Sequence, residues 1–300
     1  MKMEPLEKLK MIAIVGLAIC INGCGKNIKQ SQLDESFELT AESAITSISG
    51  SVDDQNGIGY TSLNLQHKTF AQSIQESLLP KAFAATCSRA FSESCVTGVK
   101  TASYSDCDIS GTALSIDGSV SLSYSDSGCG LSAIGDSVNR TYDFRIIGPR
   151  NGELRVFSSA HTDYRGTSIS GGGKLTKTSG GWDLEILGKN NELSRGNRVF
   201  MSHSIRTLTP INITGGLDRA SRLVNGGQLE VNHNLAKFTA IFTPNNIQYS
   251  STCCHPISGS LSVNYSGSIS SSGSITFEGC GSATISQDGK ERAISLSFCE

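Results

Sequence analysis

The side chains best suited to nucleophilic chemistry fall in two short stretches. His161 and Asp163 stand two residues apart, and Ser202-His203-Ser204 places a histidine between two serines. Ser, His and Asp are the residue types of a hydrolytic triad, in which the histidine takes the serine proton and the carboxylate orients the histidine. In a chain with 47 serines the types alone say little. The chain has no G-x-S-x-G elbow and no H-E-x-x-H pair, the local signatures that would strengthen the case. His161 and Asp163 would share one face of a strand, which a solvent-facing polar ladder explains equally well. No residue is therefore predicted to be catalytic, and an envelope hydrolase stays as an alternative.

Cys253-Cys254-His255 supplies metal-ligand types, but the cysteine spacings elsewhere are 8, 12, 22, 26 and 19 residues, with no C-x2-C knuckle. Disulfides are the expectation here, with no metal and no cofactor, and His255, before Pro256, is expected at the surface or in a turn. Ser170-Gly171-Gly172-Gly173-Lys174 lacks the glycine spacing and the Ser/Thr after Lys of a phosphate loop, and is expected to be a hairpin turn. Asp53-Asp54-Gln55-Asn56-Gly57 lacks the bidentate Glu of a calcium loop, and is also expected to be a turn.

The N-terminus carries a clearer address. A weakly basic stretch is followed by eleven uncharged residues, MIAIVGLAICI. That is shorter than the roughly 20 residues a spanning helix needs, and it has the length of a secretory signal. Ile21-Asn22-Gly23-Cys24 resembles the cleavage motif of bacterial lipoproteins, with an aliphatic residue, a small residue and then cysteine. Cys20 follows the bulky Ile19 and does not fit. The resemblance implies that Cys24 becomes a lipidated N-terminus that holds the protein on a membrane. The absence of Asp after Cys24 implies the outer membrane, without saying which side the protein faces.

Removing Cys20 and Cys24 leaves Cys87, Cys95, Cys107, Cys129, Cys253, Cys254, Cys280 and Cys299. An even number behind an export signal predicts disulfides. They form two sets of four separated by 123 cysteine-free residues, so pairing is expected within each set. The chain from Cys24 onward has a formal charge of −3, from 22 basic and 25 acidic residues, which is no footprint for nucleic acid.

The expected organisation is a signal peptide over 1–23, a lipidated N-terminus and polar tether over 24–60, an amphipathic helical segment over 61–86 and a β-rich ectodomain over 87–300. A short helix is expected within the second of these, over Phe37–Ile48. Period-two alternation recurs from about residue 110 onward, as in Tyr142-Asp-Phe144-Arg-Ile146 and Leu261-Ser-Val263-Asn-Tyr265, and marks strands with one buried and one wet face. Asn151-Gly152, Gly180-Gly181, Asn225-Gly226, Pro244-Asn245-Asn246 and Asp288-Gly289 read as turns between them. About twelve strands are expected, with no helices between them for parallel crossovers. The predicted fold is all-β and antiparallel, as a sandwich or one large curved or barrel-like sheet. The stretches GSVSLSYS (118–125) and GSLSVNYS (259–266) suggest two related units.

Asp288-Gly289 as a two-residue turn pairs residues whose numbers sum to 577, placing Ile294 opposite Ala283 and Leu296 opposite Gly281. Cys280 and Cys299 then lie on the other face. Adjacent cysteines do not bridge without strain, so Cys253 and Cys254 are each expected to bond one of Cys280 and Cys299. The segments CSRAFSESCVTGVK, NRTYDFRIIGPRNG and PNNIQYSSTCCHPISGSL are similar to uncharacterised lipoproteins of predatory bacteria. That similarity implies an exported β-rich lipoprotein and carries no activity with it. The predicted role is binding or structural, with a lipid or small-molecule carrier as another alternative.

Overall fold

The computed structural model describes residues 30–53, 95–108, 115–148 and 152–296. Lipidation at Cys24, the helical segment over 61–86, Cys87 and Cys299 lie outside them. One helix, α1 (Gln30–Asp53), precedes seventeen strands. These are β1 (Val99–Asp108), β2 (Ser115–Tyr124), β3 (Ser137–Ile147), β4 (Gly152–Phe157), β5 (His161–Thr162), β6 (Ser168–Ile169), β7 (Gly172–Lys177), β8 (Trp182–Arg195) and β9 (Arg198–Thr209). They continue as β10 (Ile211–Thr214), β11 (Leu223–Asn225), β12 (Gln228–His233), β13 (Phe238–Ser250), β14 (Cys253–Gly267), β15 (Ser271–Gly279), β16 (Ser282–Gln287) and β17 (Lys290–Ser295).

Fifteen strands form one antiparallel sheet, and β5 and β6 form a separate hairpin. Three crossings of the sheet are each made by two strands end to end. β4 and β7 both lie between β3 and β8, β9 and β10 both pair β8, and β11 and β12 both pair β13. Counted as crossings, the described chain meanders twelve times, each beside the last, and the fold class read from the alternation is correct. The turns fall on two rims. One rim carries the β8–β9, β12–β13, β14–β15 and β16–β17 turns, and the other carries the β2–β3, β7–β8, β10–β11, β13–β14 and β15–β16 turns.

Two of the predicted turns are instead kinks inside the sheet. Gly226 and Gly227, both at positive φ, separate β11 from β12. Across from them the register of β13 shifts between Asn245 and Gln248. Bulges of this kind bend a strand and strengthen its twist, so turn-forming residues here curve the sheet rather than reverse the chain. Ser170–Lys174 likewise enters β7 and does not form an isolated hairpin turn. The stretches at 118 and 259 share one device. Gly118 and Gly259 have positive φ, and a Cβ on either would collide with the carbonyl of the neighbouring strand, Asp143 and Asn246 respectively.

The concave side of the sheet is filled by α1. The expected helix over 37–48 is present but longer, and from Phe37 onward it is no tether. Phe37, Ala41, Ala44, Ile48 and Val52 are buried, and so are Thr40, Ser47 and Ser51 on other faces. A helix buried all round must be enclosed. The Phe37 ring packs 4.2 Å from Tyr265 of β14, Ser49 shares a 3.0 Å hydrogen bond with Tyr249 of β13, and Glu38 pairs with Arg292 of β17. Helical serines and threonines return hydrogen bonds to their own backbone, as Thr46 to Glu42 (2.8 Å) and Ser49 to Ile45 (2.9 Å), which lets them be buried. Around the helix the sheet presents Ile205, Val231, Ala240, Phe242 and Val263, all at most 1 % exposed.

The last hairpin has the predicted register. Ala283 pairs Ile294, Gln287 pairs Lys290, and Leu296 donates to the Gly281 carbonyl at 2.9 Å. Asp288 and Gly289 have φ of 49° and 77°, the signature of a type I′ turn. Cys253 bonds Cys280 with Cα atoms 5.7 Å apart, one of the pairings expected for the second set. Cys95 bonds Cys129, within the first set, and Cys107 is also disulfide-bonded.

Candidate functional site

The densest group of buried polar side chains lies where β8, β9, β12 and β13 cross the sheet. Registers place Asn191, His203, His233 and Phe238 in one row and Asn190, Ser204, Asn232 and Thr239 in the next. Adjacent rows point to opposite faces. The first row faces α1, and the second faces outward beneath the β5–β6 hairpin.

The inner row is uncharged. His203 is fully buried, shares a 2.8 Å hydrogen bond through Nδ1 with Ser43 of α1, and meets the His233 ring edge-on at 4.7 Å. His233 Nδ1 accepts the Ala236 backbone N–H at 3.3 Å, so the proton of its neutral ring sits on Nε2. Burial, and then the neighbouring His233, hold His203 well below its ordinary 6.5. Burial lowers His233 to about 4, opposed by a backbone hydrogen bond. His203 Nε2, Asn191 Oδ1 and Ser47 Oγ are buried without a hydrogen-bond partner among the described residues.

The outer face around that row is charged and closely paired. Glu230 accepts from Arg165 (2.7 and 3.0 Å), Arg206 (2.9 Å) and Asn232 (3.1 Å). Asp163 accepts from the Arg165 side chain (2.9 and 3.1 Å) and from the backbone N–H groups of Arg165 (2.9 Å) and Thr167 (2.8 Å). Tyr164 and Thr239 hydroxyls meet at 2.9 Å, and the Tyr164 N–H donates to Asn234 Oδ1 at 3.0 Å. Burial alone would raise both carboxyls. The N–H of Thr167 and then Arg165 outweigh it for Asp163, as do Arg165, Asn232 and Arg206 for Glu230, so both lie below their usual range. Glu230 first, and then Asp163, raise Arg165. Arg165 on Glu230 and Tyr164 on Thr239 and Asn234 tie the hairpin to the sheet.

These placements separate the residues singled out for hydrolysis. His161 Nε2 lies 3.5 Å from Ser202 Oγ on the outer face, while His203 lies on the inner face against the helix. Asp163 orients no histidine, because its oxygens are engaged by Arg165 and Thr167. His255 is buried in β14, not exposed in a turn, because Pro256 sits within the strand instead of ending it. An open groove of about 270 Å³ beside the hairpin base is lined by Ser119, Ser121, Thr141, Tyr142, Asp143, Ser158 and Ser159. Its one carboxylate, Asp143, is bidentate on Arg155 at 2.9 and 3.0 Å. Among the described residues no group of three or more His, Cys, Asp or Glu is placed to hold a metal ion.

Arg165, Arg206, Glu230 and Asn232 escape the sequence reading. Their signal is a break in alternation: Lys189-Asn190-Asn191 and Glu230–His233 are buried at every position, which requires a strand covered on both faces. No family model, curated protein or solved structure matches the chain.

Proposed function

We propose that the protein is a lipid-anchored component of the cell envelope with a binding or structural role. The observation that carries this reading is the bonded state of the cysteines. Cys95–Cys129 and Cys253–Cys280 are closed within the two sets, and Cys107 is bonded as well. Disulfides persist in exported proteins, and export agrees with Cys24 following Gly23 at the end of an apolar run. The filled concave side supports binding or structure over carriage of a ligand there. The paired outer network and the separated His161 and His203 support it over hydrolysis.

Mass spectrometry of the mature protein tests the reading. It predicts an N-terminus at Cys24 bearing acyl chains and no free thiol after denaturation without reduction. Cys24→Ala is expected to leave the membrane fraction. A wild-type protein without lipid, or a variant that stays with membranes, contradicts it.

A further inference from the structure

We infer that the groove beside the base of the β5–β6 hairpin, over the outer faces of β2 and β3, is a binding site for a neutral glycan chain. The inference rests on the binding role proposed above and names its ligand class, and it does not depend on the lipid anchor.

The first argument is preorganisation. Register sets the floor of the groove, with Ser121 opposite Thr141 and Ser119 opposite Asp143. Ser158 and Ser159 form its wall. Ser158 Oγ accepts the Tyr142 N–H at 3.0 Å and donates to the Tyr142 carbonyl at 3.1 Å, and Asn190 Nδ2 donates to the Ser159 carbonyl at 3.2 Å. Asp143 is fixed by Arg155, whose guanidinium lies 4.5 Å from the centre of the Phe157 ring. Both side chains of that pair stay within reach of solvent, at 56 % and 40 % exposed. A site held in this way loses little free energy to ordering when it binds.

The second argument is chemistry. Tyr142 packs its ring into the core, so the groups facing the groove are five aliphatic hydroxyls and one carboxylate. Sites for apolar small molecules are lined mainly by apolar and aromatic side chains, and this one presents neither. A serine or threonine hydroxyl donates and accepts at once, and a carboxylate bonded to Arg keeps further acceptor positions. Sugar hydroxyls have the same double character. Charge disfavours an anion: the outward charged side chains of β2, β3 and β4 are Asp117, Asp143 and Glu153 against Arg145 and Arg155. Arg145 is itself faced by Asp117 at 4.0 Å and Glu153 at 3.9 Å. The floor continues onto β1, where Thr101 stands opposite Ser121 and Ser103 opposite Ser119. Hydroxyls therefore recur across three strands ~4.8 Å apart, which suits an extended chain better than a single sugar. Thr243, Ser262, Ser274 and Ser286 form a similar row across β13–β16, but that row contains no carboxylate and lines no part of the groove. It supplies the control.

Calorimetric titration of the full chain in detergent tests the site. The neutral probes are maltohexaose, cellohexaose and chitohexaose, and the acidic probe is hexagalacturonate. At least one neutral probe is expected to bind, and to bind at least about tenfold tighter than hexagalacturonate. Asp143→Ala is expected to weaken that binding by about tenfold or more and Thr141→Val by about fivefold, the losses of a charged and a neutral hydrogen bond. Thr243→Val, in the control row, is expected to bind as the wild type does. Thr141→Val is nearly isosteric on an exposed position and carries the test alone where Asp143→Ala fails to fold. The site is overturned when no neutral probe binds, when hexagalacturonate binds as tightly, or when Thr141→Val binds as the wild type does. Each of these outcomes leaves the anchor standing. A mature protein without acyl chains overturns the anchor and leaves the groove standing.

Discussion

Two polar clusters share β9 and β12 and differ only in the face they occupy. On the outer face Glu230 and Asp163 meet Arg165 and Arg206 with each carboxylate multiply bonded. On the inner face His203 and His233 remain neutral, and His203 keeps one nitrogen buried and unpaired among the described residues. The difference follows from what covers each face. The hairpin over the outer face leaves Arg165 and Arg206 each about one-third exposed, so their charge stays partly solvated while the carboxylates beneath them are satisfied. The helix over the inner face excludes water, and there a charge on His203 or His233 would be costly. One sheet therefore holds a charged clamp on one side and a seam of neutral histidines on the other.

Acid should separate the two faces with the largest effect. The folded state keeps His233 at about 4 against an ordinary 6.5, so the unfolded chain takes up the proton first as pH falls. Stability is then full above about pH 6.5 and falls toward pH 4, by on the order of 3 kcal/mol for His233 alone, with His203 adding in the same direction. The carboxylates act lower. Their folded values lie below the usual range, so their contribution is present above about pH 4.5 and is lost as pH falls through the folded values. Urea midpoints measured from pH 8 to 3 are expected to fall in these two windows. Glu230→Gln should alter the lower window alone.

Glu230→Ala at pH 7 comes next. It leaves Arg165 and Arg206 facing an emptied buried site. Because both guanidinium groups are partly solvated, the expected cost is about 2 kcal/mol, below the roughly 3–5 kcal/mol of a fully buried pair. Urea unfolding measures it, and a loss under about 0.5 kcal/mol would mean that the clamp does not hold the hairpin.

Ser43→Ala removes one neutral hydrogen bond from the inner seam and is expected to cost about 1 kcal/mol. The smallest effect belongs to the double variant Ser43→Ala, His203→Phe. Replacing both partners by apolar groups of similar shape is expected to change stability by less than about 0.5 kcal/mol. A double variant as damaging as Glu230→Ala would erase the distinction between the faces.

The sheet was legible in the sequence where one face is wet. Alternation along Val120–Tyr124, Tyr142–Ile146 and Leu261–Tyr265 follows the pleat, and the register of β16 and β17 follows from Asp288-Gly289 alone. Legibility failed where both faces are covered. Glu230–His233 has no apolar alternation because the hairpin hides one side and α1 the other. The helix is weakly amphipathic because it is enclosed, so its sequence resembles a polar tether. Asn225-Gly226 and Pro244-Asn245-Asn246 supply turn chemistry, but that chemistry serves a bulge as well as a hairpin, and only the partner strands decide between them. The clamp joins Asp163 and Arg165 to Glu230 across 65 residues of chain, a distance over which spacing carries no signal.

The central claim is that α1 is part of the core of the sheet and not a tether lying against it. Amide hydrogen exchange tests it most directly. The account predicts that backbone amides from Ala44 to Val52 exchange only through global unfolding, with the same free energy as those of β13. Exchange of these amides at rates typical of a frayed surface helix, while β13 stays protected, would contradict it.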